Sequence, residues 1–118
     1  MSALYRVSNV TRETVLAERC SRAGVMRRGI GLMGRRGLEA GTGLIIEPCN
    51  SVVSFFMRFT IDVVFVDKGG SVVYTLPRFV PWRTSRIVRG SRLVVELPEG
   101  TIDRTATHVG DSIRIEPS

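Results

Sequence analysis

The chain has 118 residues, a mass of 13.1 kDa and a formal net charge of +6. Its hydrophobic content of 43%, with five Phe, two Tyr and one Trp, is enough for a packed core and excludes intrinsic disorder. No apolar stretch reaches the roughly 18 residues of a membrane span, and the first residues lack the apolar run of an export signal. We therefore expect one domain over residues 1–118, without a membrane partner and in the cytoplasm.

The first part of the chain predicts two strands, a helix and a loop. Alternating apolar and polar residues predict strands at 3–7 and 15–19, and the polar turn between them favours antiparallel pairing. The apolar residues from Ser21 to Arg35 can gather on one face of an amphipathic helix, which three glycines weaken. Residues 37–43 are typical of a loop.

The remainder of the chain predicts mostly strands. Asp67-Lys68-Gly69-Gly70 is typical of a hairpin turn because its residues tolerate positive φ. A short helix is predicted at 101–108. The strands are predicted at 44–47, 52–59, 63–67, 71–75, 92–97 and 112–116. These elements predict a mainly β fold: a compact β-sandwich or jelly-roll-like single domain with one amphipathic helix and a short second helix.

Several stretches of this sequence occur together in one known family. They are GLMGRRGLEAGTGLIIEPCNSVVSFFMRFTIDVVFVDKGGSVV, then Pro81-Trp82-Arg83, VVELPEGT and HVGDSI. In their order and spacing they closely resemble the bacterial and archaeal family called domain of unknown function 192. The resemblance implies a compact, mainly β domain with one or two helices, and it brings no assigned biochemical activity.

This chain departs from the family pattern at two positions. Close relatives often carry histidine before the SFFM-like block and proline before the Ile-Asp pair, where this chain has Val53 and Thr60. Val53 removes an ionisable side chain from the neighbourhood of Cys49, which argues against Cys-His chemistry there. Thr60 changes only how the chain bends.

Arg58 is the first candidate functional residue, because it lies between aromatic residues of a predicted strand. Its guanidinium group could hold the carboxylate or phosphate of a ligand, with Asp62 orienting it. Alternatively, Arg58 could form a structural ion pair with Asp62 or with Glu96, since charges inside strands are retained when they are paired or solvated. We expect the structural pair for the side chain itself and recognition by the adjoining loop.

The loop from Pro77 to Arg89 is the second candidate, because it places Trp82 among arginines that include Arg83. Aromatic and arginine side chains together are what a single-stranded nucleic-acid platform needs. One tryptophan makes no platform, however, so we do not expect nucleic acid as the partner. The basic residues are arginines except for one lysine, Lys68. This excess of arginine fits either codon usage or a need for planar guanidinium groups.

Catalytic and metal chemistry find little support in the sequence. Cys49 would need a base or a positive field to become a nucleophile, and nothing predicts that His108 lies beside it. Cys20 and Cys49 do not have the spacing of a zinc site. We predict no catalytic residue, no metal and no cofactor, with a hydrolytic or thiol enzyme using Cys49 or Asp62 as the alternative.

The sequence therefore predicts a binding module for a small anionic or polar ligand or a protein partner. A nucleic-acid-binding or assembly-interaction module is a further alternative. A concave pocket with converging polar groups would favour a small ligand or an enzyme, whereas a flat apolar patch would favour a protein partner. The predicted site residues, near the Pro77–Arg89 loop, are Arg58, Asp62, Trp82, Arg83 and Glu96.

Overall fold

A computed structural model describes residues 3–23, 37–55 and 57–118. Within these ranges the chain forms strands and one short helix, α1 (Thr101–Thr105), so the predicted mainly β fold is confirmed. No helix in the described ranges is long and apolar enough to cross a membrane. The strands are β1 (Tyr5–Asn9), β2 (Thr14–Ala23), β3 (Thr42–Ile46), β4 (Ile61–Val66), β5 (Val72–Phe79), β6 (Leu93–Pro98) and β7 (Ile113–Pro117).

These strands form one sheet in the order β5-β4-β6-β3-β2-β1-β7. β2 and β3 pair in parallel, and the other neighbours are antiparallel. The sheet curls into a half-barrel whose edge strands meet at one end, where Ser71 and Ser112 form a bridge. The expected sandwich or jelly roll is not confirmed, because the described strands make one continuous sheet.

Apolar side chains cover both faces of the central strands. Successive residues of a strand point to opposite faces, so Val64 and Val66 of β4 enter one core while Val63 and Phe65 enter another. Because both faces of β4 are buried, its sequence is a continuous apolar run around Asp62. We call the core that contains Val64 the inner core and the core that contains Phe65 the outer core.

The predicted strand at 52–59 is wrong. Val53 makes only an isolated bridge to Thr84, and the Met57 N–H donates to the Ser54 carbonyl at 3.2 Å in a turn. The predicted alternation therefore breaks: Met57 is buried in the outer core, whereas Phe55 is exposed. Phe56 lies outside the described residues.

The first three residues of the predicted helix belong to a strand. Residues 21–23 continue β2 and pair in parallel with residues 44–46 of β3. Backbone pairing with β3, a partner about twenty residues further along the chain, is what extends β2 here. The rest of the predicted helix, residues 24–35, lies outside the described residues.

Candidate functional site

Residues 50–55 run antiparallel to residues 82–88 and form an irregular ribbon with them. Ser54 is the centre of this pairing: its N–H donates to the Arg83 carbonyl at 2.9 Å, and its carbonyl accepts the Trp82 N–H at 3.0 Å. Its Oγ also accepts the Arg83 N–H at 2.9 Å. Since Ser54 is fully buried, these bonds hold Trp82 and Arg83 in a defined position.

The ribbon carries an exposed apolar surface. The rings of Phe55 and Trp82 stack with their centroids 5.8 Å apart and their planes at 30°. Trp82 is 55% exposed and Phe55 43% exposed. Eight large hydrophobic side chains are exposed in the described ranges, and five of them lie on the ribbon or beside it: Val53, Phe55, Val80, Trp82 and Ile87. We call these five residues, together with the exposed arginines described in the next paragraph, the ribbon surface.

The charges that accompany these residues are positive. No aspartate or glutamate occurs between Glu47 and Asp62 or between Asp67 and Glu96. None of the four ion pairs among the described residues involves the exposed arginines of this surface. The guanidinium carbon of one of them lies 5.5 Å from the centre of the Tyr74 ring. These arginines lie on the ribbon or within three residues of it along the chain, and they are Arg58, Arg83, Arg86 and Arg89.

Trp82 has an unusual backbone conformation. Its φ is 64°, in the left-handed region that bulky side chains rarely adopt. Such a conformation costs about 1–3 kcal/mol and persists where the surrounding structure imposes it, often at functional sites. Here the hydrogen bonds to Ser54 impose it. Strain and exposure together mark Trp82 as the leading functional candidate.

Asp62 does not lie on this surface. Its side chain is 1% exposed, and its two carboxylate oxygens accept the backbone N–H groups of Arg78 at 3.0 Å and Ile102 at 2.8 Å. The expected ion pair between Asp62 and Arg58 is therefore wrong, because both oxygens of Asp62 bind backbone groups and the Arg58 side chain is exposed. Asp62 joins the end of β5 to the start of α1.

Glu96 is buried in the sheet, with 4% of its surface exposed. It lies on β6 between Leu44 of β3 and Val63 of β4, and both neighbours belong to the outer core. Burial raises its pKa from 4.5 to about 8, so the carboxyl group carries a proton at neutral pH. Within the described ranges Glu96 makes no ion pair, so the expected pair with Arg58 is wrong here too.

The structure thus brings together only part of the predicted site. Trp82 and Arg83 are adjacent on the ribbon surface, and Arg58 is exposed three residues after Phe55. Asp62 and Glu96 are buried and belong to the scaffold. The sequence did not mark Phe55 as a candidate, because in a regular strand over 52–59 it would share a face with Met57, which is buried. A signal in the sequence that could have drawn attention to this region is the long stretch without any carboxylate.

The remaining candidate features are the two cysteines, a possible metal site and a cavity. Cys49 is 3% exposed, with its Sγ donating to the Ser51 carbonyl at 3.0 Å, and burial raises the pKa of Cys20 to about 12. No group of three His, Cys, Asp or Glu in the described ranges could hold a metal ion. A cavity of about 380 Å³ lies between β2 and α1, with Glu18, Glu99 and Arg104 in its lining, and it does not include the ribbon surface.

Comparisons with known proteins identify a family that is described as uncharacterised. The profile of the family described as "Uncharacterized ACR", domain of unknown function 192, matches residues 12–115. Two archaeal proteins named only as UPF0127 proteins are similar over 63 residues. The protein of Thermococcus sibiricus is 40% identical, with 53% of this chain and 40% of that protein covered. The protein of Pyrococcus furiosus is 38% identical, with 53% of each covered, so the match spans about half or less of these relatives.

Two crystal structures share the fold. A protein of unknown function from Novosphingobium aromaticivorans has a TM-score of 0.81 at 19% identity, over 94% of this chain and 83% of its own. A protein of Sinorhizobium meliloti, described as a proposed transcription regulator, has a TM-score of 0.78 at 20% identity, over 97% and 93%. At these identities the likeness concerns the fold alone.

Proposed function

We propose that this chain, which belongs to the domain of unknown function 192 family, is a binding module whose docking surface is the ribbon surface. Its partner is negatively charged and also offers apolar groups. The observation that carries the proposal is the stacked pair of Phe55 and Trp82, exposed beside arginines that make no ion pair among the described residues.

Exposing these side chains is unfavourable for a domain that works alone. Apolar surface removed from water stabilises by about 25 cal/mol per Å², and a tryptophan is among the largest apolar side chains available. Tryptophan and arginine are also the side chains that most often dominate binding energy at protein interfaces. An exposed aromatic pair beside arginines therefore supports a role in binding.

The exposed apolar side chains of the surface support a macromolecular partner over a small anion. A small ligand is held in a concave site with converging polar groups. Three cavities lined by described residues, of about 380, 300 and 300 Å³, do not include Trp82 or Arg83. An exposed area with several large apolar side chains is instead typical of contact with another macromolecule.

The enzyme alternative has no specific observation in its favour. Cys49 is buried, and the oxygens of Asp62 are bonded to backbone N–H groups. A cytoplasmic location is part of the proposal, because the spacing of the two cysteines in the sequence is not that of a disulfide framework. A single domain over residues 1–118 is likewise proposed.

The test uses Trp82 as its own reporter, because it is the one tryptophan of the chain. Poly-L-glutamate and oligothymidylate, two polyanions of different chemistry, are titrated while the tryptophan emission is followed. We expect at least one of them to bind and to perturb the emission, and Arg83→Gln with Arg86→Gln to weaken that binding. The matched control is Arg114→Gln, an exposed arginine on β7. Equal loss in the control, or no binding of either probe, would overturn the proposal.

A further inference from the structure

We infer that the ribbon surface binds an acidic polypeptide segment that places a large apolar side chain against Phe55 and Trp82. This inference rests on the proposed function and names the class of partner. It depends on three features of the surface: its aliphatic side chains, the geometry of its ring pair and the chemistry of its charges.

The first feature is the aliphatic part of the surface. Val53, Val80 and Ile87 are exposed on the ribbon or beside it, and Ile87 is 68% exposed. Nucleic-acid platforms use aromatic faces for stacking and cations for phosphates, so branched aliphatic side chains have little to do there. In contact with a protein, the same side chains are removed from water by packing against leucine, methionine or phenylalanine side chains of the partner. The aliphatic residues therefore favour a polypeptide.

The second feature is the arrangement of the two rings. Phe55 and Trp82 stack on each other with centroids 5.8 Å apart, so each ring already uses one of its faces for the other. A strand of bases needs separate aromatic faces on which successive bases stack. A stacked pair with aliphatic neighbours is instead an apolar contact area for a single large side chain, which is how interface anchors are received.

The third feature is the charge of the surface. Its cations are arginines, whose planar forks bind a carboxylate with two parallel hydrogen bonds. The chain supplies no carboxylate of its own between Asp67 and Glu96, so Arg83, Arg86 and Arg89 have no acidic neighbour in sequence. Arg86 is also positioned by its contact with the Tyr74 ring at 5.5 Å. Acidic residues on either side of an apolar anchor would complement this arrangement.

The experiment selects the partner's chemistry without assuming its sequence. A random-sequence peptide display library is panned against the full chain at physiological salt. We expect the enriched peptides to carry aspartate or glutamate on both sides of a large apolar residue. A synthetic enriched peptide should bind Trp82→Ala and Arg83→Gln roughly tenfold or more weakly than the unchanged chain. Arg114→Gln should bind it normally, and unchanged melting temperatures would show that the variants are folded.

Three results would overturn the inference. The partner would not be an acidic segment of this kind if the enriched peptides lacked acidic residues. The same would follow if they bound Trp82→Ala as tightly as the unchanged chain. Oligothymidylate binding at physiological salt that is lost in Trp82→Ala, without peptide binding, would assign the surface to nucleic acid and leave the proposed function standing. Dimers of the unchanged chain in sedimentation that Arg83→Gln dissociates would make a second copy the occupant.

Discussion

The Oδ1 atom of Asp62 accepts a 3.0 Å hydrogen bond from the backbone N–H of Arg78, a residue whose φ is 51°. The Oδ2 atom of the same carboxylate accepts the N–H of Ile102 at 2.8 Å. A buried carboxylate thus stabilises the left-handed turn at the end of β5 and the first turn of α1 together. Because Arg78 lies directly before the segment that leads to Trp82, this bond also sets where the ribbon begins.

Replacing Asp62 by asparagine should destabilise the fold. The amide presents an N–H₂ group where an acceptor is needed, so the N–H of Arg78 or of Ile102 loses its partner. We expect a loss of about 1–3 kcal/mol in the free energy of unfolding, measured by urea denaturation. Asp103→Asn, an exposed position within α1, is the control and should change it by less than about 0.5 kcal/mol. Equal effects at the two positions would contradict a structural role for Asp62.

Glu96 should make the fold less stable as the pH rises. Its folded-state pKa of about 8 lies above the ordinary value of 4.5, so the folded state holds this proton more tightly than the unfolded state. The stabilisation is complete below pH 4.5 and is lost as the pH rises toward 8, with a slope of at most about 1.4 kcal/mol per pH unit. Glu96→Gln cannot ionise and should lack this decline.

Urea denaturation of both proteins at a series of pH values measures the difference. The gap in unfolding free energy between Glu96→Gln and the unchanged chain should move in favour of the variant as the pH rises. Glu99→Gln, at an exposed neighbouring position, should run parallel to the unchanged chain. A gap that stays constant with pH would show that Glu96 is not protonated in the fold.

Asp111 should act in the opposite direction. Burial by itself raises its pKa, but hydrogen bonds from Arg12, Asn9 and the His108 N–H, with the charge of Arg12, outweigh burial and lower the pKa from 3.8 to about 2. A lowered folded-state pKa stabilises above pH 3.8, and this contribution disappears as the pH falls through about 2. Asp111→Asn should therefore destabilise at neutral pH and approach the unchanged chain in acid.

The Arg12 contact provides the companion measurement for Asp111. Arg12→Gln removes the 3.0 Å bond from its Nε to Oδ2 and should weaken the acid dependence without abolishing it, because Asn9 and His108 still donate. Thermal melting of the three proteins between about pH 2 and 7 checks this order. A single shared pH profile would refute the assignment of the lowered pKa to these hydrogen bonds.

Arg58 should contribute little to stability. Its side chain is exposed and makes none of the ion pairs among the described residues, so neither Arg58→Ala nor Arg58→Met leaves a buried carboxylate without a partner. We expect both to change the unfolding free energy by less than about 1 kcal/mol, whereas breaking a buried pair would cost about 3–5 kcal/mol. Denaturant melts decide between the two values. A large loss of unfolding free energy in both variants would support a buried ion pair of Arg58 instead.

The local parts of the fold could be predicted from the sequence. The hairpin between β4 and β5 follows from residues that act on their own neighbours: Oδ1 of Asp67 accepts the N–H groups of Gly69 and Ser71, and Gly70 has a φ of 90°. The strands at β4 and β6 follow from apolar runs that fit a buried sheet. The family could also be named, because its short motifs occur in this chain in the family's order.

Only the tertiary structure decided the partners of the charged residues and the exposure of the aromatic ones. Asp62 bonds to residues 16 and 40 positions away, and Glu96 is buried because β3 and β4 flank β6, which no local pattern specifies. Phe55 and Met57 have the same spacing as two residues on one strand face, yet the turn at Ser54 exposes one and buries the other. A sequence pattern fixes periodicity within a segment, whereas burial depends on which distant segments the folded chain brings against it.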